Sequence, residues 1–300
     1  MFTWIKQGIG YILGWIYDLV PNYGVALILF TFAIKLLLLP LGLKQQKSMT
    51  KMQVMQPKLE ALKERYKNDQ QKLSQETMKL YKEYDISPMG GCLPMLIQLP
   101  ILIMLYRVIQ APLTYMLHIS GGEIKELAAK FNIESVKDQI AIAKAAGKIN
   151  FDFFGLDLSG IPNAKGWFTL PMIIPVLAAL TTFLSSKVST MVQTKKNEAK
   201  EKAPTRILSP EQKDTGKPSG AEVGKTMTWV MPFLTLWITA TFSSAIGIYW
   251  IASNIFAVGQ TVLLNGYYAK KMSLEIEKHE AELAEKKQLR YGNKKKKGNK

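Results

Sequence analysis

Apolar residues in this chain are gathered into blocks. Gly24–Leu43, Cys92–Gln110, Gly166–Ser186 and Thr226–Tyr268 run with almost no charged side chain. About 20 apolar residues cover the roughly 30 Å hydrocarbon core of a bilayer. Inside lipid a backbone has no water to bond, so such blocks are helices. The fourth block is 43 residues long. As one helix it would extend about 65 Å, twice the core, and so must turn back. FSSAIG, Phe242–Gly247, carries the small and turn-prone residues for that reversal. Five spans result: 24–43, 92–110, 166–186, 226–245 and 247–268.

Orientation follows from the placement of Lys and Arg. Segment 44–88 holds 10 of them, 187–225 holds 9 and 269–300 holds 11, whereas 111–165 holds 6 balanced by 6 acids. Five spans place the three cation-rich segments on one side, which is then the cytoplasm. The expectation is a multi-pass protein of the plasma (inner) membrane, with its N-terminus and 111–165 outside and its C-terminus cytoplasmic. The one cysteine, Cys92, excludes a disulfide within one copy.

Outside the spans the texture changes. In 1–20, Thr3, Gln7, Gly10, Gly14 and Asp18 recur every three or four positions, and Trp4, Ile5, Ile9, Ile12, Trp15, Ile16 and Leu19 fill the other face. This is the pattern of an amphipathic helix lying at the membrane surface. Lys6 as the only basic residue, with no small-x-small site after it, argues against a cleaved leader. Lys6, Asp18 and three glycines argue against a sixth span. In 44–88, Met49, Met52, Met55, Leu59 and Leu62 share helical spacing. NDQ, Asn68–Gln70, breaks that run, and Leu73, Thr77, Leu80 and Tyr84 resume it, which predicts a cytoplasmic helical hairpin. Methionine-rich seams adapt to many partners. Segment 111–165 predicts short helices and an irregular aromatic stretch, FDFFGLDLSGIP, near the interface. Segment 195–225 predicts a mobile polar loop. After a short continuation of the last helix, the chain predicts a basic, disordered tail.

Lys35 is the anomaly within the spans. It lies about 12 Å of helix rise inside Leu43, and an ionisable group at such depth faces protein or water. None of the five spans contains Asp or Glu. The charge therefore calls for a water-containing cavity or for a partner that supplies the negative charge; a lysine that snorkels from a tilted span is the alternative. Thr31, Gln98, Thr181, Thr182, Ser185, Ser186, Thr235, Thr239, Thr241, Asn254 and Gln260 are other polar side chains in the spans. Singly, each is an ordinary helix–helix hydrogen-bonding residue; together with Lys35 they could line one polar cavity.

Two distant histidines, His118 and His279, give no metal set and no nucleophilic triad. There is no Gly-rich phosphate loop, so the chain reads as a non-enzyme with no cofactor. The tail KKQLRYGNKKKKGNK suits anionic lipid headgroups or RNA phosphates, or is simply solvated.

NYGVALILFTFAIKLLLLPL, KMQVMQPKLEALKERYKND, SPMGGCLPMLIQLPILIMLY and IGIYWIASNIFAVGQ, in this order, resemble the YidC/Oxa/Alb family of membrane protein insertases. The likeness runs from about Trp4 to Tyr268, and in lacking a large outside domain the chain is similar to the short five-span bacterial members. The resemblance implies an all-α integral membrane protein: five transmembrane helices around a cytoplasm-open hydrophilic groove, with a cytoplasmic helical hairpin and an N-terminal amphipathic helix. It implies that Lys35 stands where the family carries a first-span arginine; the charge is kept and the planar donor fork is lost. It matches Thr31 to a second groove position, Tyr249 and Trp250 to an aromatic pair, and Ser185 or Ser186 to a frequent glutamine. With Gln98 and Asn254 these complete the expected substrate-binding groove. The implied function is insertion and chaperoning of nascent membrane proteins. Anionic lipids, the ribosome through the basic tail, and the Sec translocon are further expected partners. The competing class is a small ion channel or transporter, which intramembrane carboxylates or inverted repeats would favour; neither is visible. A tail-tethered membrane–RNA adaptor is a third.

Overall fold

A computed structural model describes residues 3–84, 86, 93–194 and 220–297. Nearly all of the ordered chain is helical, as blocks that must satisfy their own backbone in lipid require. In order come α1 (Thr3–Leu19), α2 (Tyr23–Leu37), α3 (Leu39–Val54), α4 (Gln56–Arg65), α5 (Gln70–Glu83), α6 (Leu93–Gln110), α7 (Pro112–Tyr115), α8 (Gly121–Lys130) and α9 (Gln139–Ala145). Strands β1 (Asp152–Phe153) and β2 (Leu156–Asp157) follow, then α10 (Ile173–Thr194), α11 (Gly220–Thr241) and the long α12 (Ser244–Lys297). Among the described residues, Leu170–Ser189 and Ser244–Leu264 are helical segments long and apolar enough to cross a bilayer. A third is added if α2 and the first part of α3 count as one broken span; Leu99–Gln110 and Trp229–Thr241 are shorter apolar helices.

Three expectations are modified. The block 24–43 is not one straight helix: α2 stops at Leu37 and α3 resumes at Leu39. Pro40 explains the break, since its ring crowds the carbonyl four residues back and it lacks the N–H that would bond there; in the first turn of a new helix that N–H is not needed. The aromatic stretch after Phe151 is not irregular but a two-residue antiparallel ladder, Asp152 opposite Asp157 and Phe153 opposite Leu156. The basic tail continues the last helix as far as Lys297. Residues 195–219, most of the expected polar loop, lie outside the described residues.

The chain divides into two compact units. The first comprises Met1–Leu39, Ile97–Met191 and Glu201–Gln260. One end of it is a cap formed by α1 and the segment from Ala111 to Met172. Gly10 and Gly14 of α1 are buried. A Cβ on Gly10 would lie 2.1 Å from the Tyr115 carbonyl oxygen, and one on Gly14 would lie 2.4 Å from that of Met116. The small-residue face of α1 is therefore its packed face, and Trp4, Tyr11 and Trp15 point away. Lys6 Nζ donates to Tyr115 Oη at 3.1 Å, and the Asn150 N–H donates to Tyr17 Oη at 2.8 Å. Gln139 closes the cap across α7, accepting from Thr114 N at 3.0 Å and donating to Thr114 Oγ1 at 2.7 Å.

Three helices begin at this cap. The Tyr23 N–H donates to Asn150 O at 3.0 Å, and the Ser244 N–H to Gly160 O at 2.9 Å. Ile174, in the first turn of α10, joins the same core as Leu13, Tyr23 and Leu158. Two helices end there. Val108 and Ile109 of α6 are buried in that core, and just beyond α11 Ser243 Oγ donates to Leu158 O at 2.9 Å.

The second unit comprises Pro40–Leu96, Val192–Lys200 and Thr261–Lys300. Here α4 and α5 form the hairpin read from the sequence, and Asp69 caps α5 by accepting from Lys72 N at 2.9 Å. The partner of the methionine–leucine seam was not legible. It is the far part of α12: Ile276 packs with Met55, Tyr84 and Ile86 in one buried cluster. His279 Nε2 donates to Glu83 O at 2.7 Å, and its ring meets that of Tyr84 with centroids 5.2 Å apart. Lys47 and Glu275 form an ion pair at 3.9 Å.

Removing the buried methionine in Met55→Ala should cost this unit about 2–5 kcal/mol, the range for large-to-small core changes; Ile276→Ala should act in the same direction. Faster hydrogen exchange of the α4 and α5 amides, with the α10 amides unchanged, is the expected readout. In the cap, burial pushes the Asp157 carboxyl up, but hydrogen bonds from Lys144 and Ser159 outweigh this and hold it below the ordinary carboxylate range. A depressed folded value means that its stabilisation is present at neutral pH and is lost as pH falls through that folded value, below about 3.9. Thermal midpoints measured from pH 7 to pH 3 should fall more steeply at the acid end for the wild type than for Asp157→Asn.

Candidate functional site

The expected groove residues fall on four helices of the first unit, α2, α6, α10 and α12. On α2, Thr31 and Lys35 are four residues apart and share a face. Thr31 is buried, and its hydroxyl donates to Leu27 O at 2.6 Å, so it is satisfied within its own helix. Lys35 is half-buried in the last turn of α2. Because the helix stops at Leu37, the straight run beyond Lys35 is about half a turn, not the roughly two turns to Leu43 that a continuous span would have.

On α10, Thr181, Thr182, Ser185 and Ser186 make a polar stripe at four-residue spacing. Thr182 is buried and the other three are half-buried. Thr181 and Thr182 both donate their hydroxyl protons to Ala178 O, at 3.0 and 2.8 Å. Their lone pairs are then left to accept, and Asn254 Nδ2 of α12 donates to both, at 3.3 Å to Thr181 Oγ1 and 2.8 Å to Thr182 Oγ1. Donors and acceptors are thus matched around the Asn254 amino group, and the α10–α12 seam is tied by the carboxamide most costly to bury without a partner.

The same stretch of α12 touches α2. Phe256, two residues beyond Asn254, meets Phe32 edge-to-face with centroids 5.7 Å apart. Tyr249 is buried in the main core and Trp250 is half-buried against it. So α12 bridges the stripe that carries Lys35 and the stripe that carries the serines. The structure brings Asn254 directly to Thr181 and Thr182; Ser185 and Ser186 follow one turn along. The Gln98 side chain lies outside the described ones. On α11, Thr235 and Thr239 are both buried; Thr239 donates to Thr235 O at 2.7 Å, while the Thr235 hydroxyl has no partner among the described residues. The Phe32–Phe256 contact was not foreseen, since one aromatic among many on an apolar helix carries no pairing signal. Among the described residues, no group of three His, Cys, Asp or Glu side chains is gathered to hold a metal ion.

The chain was compared with known proteins. Residues 15–271 match the family model described as 60Kd inner membrane protein. The Membrane protein insertase YidC 2 of Listeria innocua is 34% identical over 272 residues, 89% of this chain and 72% of that one. The Membrane protein insertase YidC of Caldanaerobacter subterraneus subsp. tengcongensis is 33% identical over 256 residues, 85% of this chain and 91% of the relative. Among solved structures, an active YidC insertase crystal structure with the first transmembrane domain resolved is similar at a TM-score of 0.50 and 25% identity. That match covers 87% of this chain, which spans 46% of the solved chain's length. With its apolar helices, and with a family match over most of its length, this membrane protein belongs to the 60Kd inner membrane protein family.

Proposed function

We propose that the protein is a membrane insertase and chaperone for nascent membrane proteins, working through the Lys35 side of its first unit. The observation that carries this reading is a lysine in the last turn of apolar α2, half-buried, on a chain whose curated relatives are named insertases. Three helices beginning and two ending at one cap support five traverses of the bilayer. The cation-rich segments then face the cytoplasm, with the N-terminus and the cap outside. In this reading Lys35, Ser185, Ser186 and Trp250 line a polar groove open to the cytoplasm and to lipid, with Thr31, Tyr249 and Asn254 packed behind them.

An incoming chain with an apolar segment and a short, often acidic flank first meets the hairpin of α4 and α5. Its flank enters the groove and is held near Lys35. Two unit charges about 4 Å apart interact by about 4 kcal/mol at an effective dielectric near 20. The insertion cost of one charged residue at the centre of a span is about 2.5–3.5 kcal/mol. One cation therefore offsets much of the crossing penalty of one acidic residue. An ammonium supplies the charge without the bidentate fork of a guanidinium. The apolar segment then leaves sideways into lipid, and its burial drives the step without a nucleotide. The basic end of α12 adds attraction to anionic lipid and a surface for ribosomal RNA; the Sec translocon is a further partner in this reading.

Purified protein reconstituted in liposomes with one small single-span substrate tests this. Lys35→Arg should insert at the wild-type level. Lys35→Glu should lower insertion of an acidic-flank substrate by about tenfold, a change of about 1.4 kcal/mol, and that of a neutral-flank substrate much less. Wild-type insertion of every substrate by Lys35→Glu would sink the charge mechanism. Asn254→Ala should weaken the α10–α12 seam by about 0.6–2 kcal/mol, lowering the thermal midpoint in detergent and reducing insertion of both substrates alike.

A further inference from the structure

The turn between β1 and β2 is built at a cost. Phe154 has φ +52° and Gly155 has φ +77°. A positive φ is normal for glycine and rare for a bulky aromatic residue. Asn or Gly would occupy this position without strain, yet the chain places a phenylalanine there and leaves it 89% exposed. Its ring meets that of its neighbour Phe153 edge-to-face, at 4.8 Å between centroids. Strain that displays an apolar side chain points to a use for that side chain.

The level at which Phe154 is held follows from what the turn is tied to. Asn22, the cap of α2, accepts from Val25 N and donates through Nδ2 to Asp152 O at 2.7 Å. The Phe153 ring packs on the first turn of α2 so closely that a Cβ on Gly24 would lie 2.3 Å from it. On the other side of the turn, Leu158 and Gly160 accept hydrogen bonds from Ser243 and Ser244 at the start of α12. A few residues later the chain enters the apolar segment Leu170–Ser189. The segment is therefore stitched to the starting turns of three apolar helices. In a bilayer crossed by these helices, those turns would lie where hydrocarbon gives way to headgroups.

In the same segment Ile161, Trp167, Phe168 and Leu170 are also exposed, Phe168 completely. Trp and other aromatic side chains favour the boundary between hydrocarbon and headgroups. Of the two acids in the ladder, Asp157 is paired with Lys144 and accepts from the Ser159 hydroxyl, while Asp152 is exposed beside the turn. We propose that the segment from Phe153 to Leu170 is a lipid anchor, with Phe154 as a wedge seated in the headgroup–acyl boundary. It would fix the cap, and with it the starts of α2, α10 and α12, against the membrane plane. This inference requires only that the apolar helices cross a bilayer, and it stands or falls apart from the Lys35 mechanism.

The test uses the full chain in vesicles of phosphatidylethanolamine and phosphatidylglycerol. A Phe154→Cys variant, made in a Cys92→Ala background, carries an environment-sensitive fluorophore; Gly122→Cys on exposed α8 is the aqueous control. The label at 154 should be blue-shifted, quenched several-fold more by nitroxides near the headgroup than by deep acyl nitroxides, and protected from iodide. Iodide quenching equal to that at position 122, with no lipid quenching, overturns the proposal. So does protection that appears in native membranes but not in lipid-only vesicles, because the occupant is then a protein. As a check that needs no substitution at 154, photoactivatable lipid should label Phe153–Phe154 in the wild-type chain. Adducts on α10 with none on the turn would equally overturn the anchor. Phe154→Asn, which accepts the positive φ, should keep or raise the thermal midpoint in detergent and lose the photolabel at the turn.

Discussion

Water is missing around the apolar helices of this chain, and a backbone amide there has no partner but another backbone group. That requirement makes helices of the apolar blocks and pushes every irregular connection to the ends of the unit. The cap is the result. Its turns, its short helices and its two-residue ladder collect the loop backbone in one place, and side chains such as Asn22, Tyr17, Gln139 and Ser243 satisfy the groups that the loops leave over. Because the cap bonds to the starts of α2 and α12 and shares its core with α10, it also sets where those helices begin.

The same scarcity of partners governs polar side chains along the helices. Asn254 shows the closed solution, in which the threonine hydroxyls donate back to Ala178 and the amide fills the acceptors that remain. Such a seam is rigid and finished. Lys35 differs in carrying a full charge. It lies in the last turn of α2 and is half-buried. One helix thus carries a hydroxyl satisfied within its own backbone and, one turn on, a half-buried cation.

The second unit follows different physics. Its helices are charged on most of their surface, and their packing depends on a few residues that water cannot reach, above all Met55. The hairpin does not close on itself alone. It borrows Ile276 and His279 from the last helix, so a segment that reads as a tail in composition is structural as far as those residues. Lys47 and Glu275, half-exposed at 3.9 Å, contribute little beside that packing.

Much of this was legible from order and composition. The apolar blocks, the reversal at Phe242–Gly247, the hairpin break at Asn68–Gln70 and the lysine inside an apolar run are all local or periodic signals. Such signals need no knowledge of neighbours, because helix formation and exclusion of charge from lipid act on each segment separately. The break at Leu38 was equally local, with Pro40 as its cause. What the three-dimensional arrangement alone decided is pairing: Asn254 with Thr181 and Thr182, Ile276 with Met55, Gly10 with the Tyr115 carbonyl, Phe153 with Gly24. Each joins residues far apart in the chain whose types have many equally suitable partners. The choice among those partners is made by the packing of the whole, where only one arrangement fills the space and leaves the buried polar groups bonded.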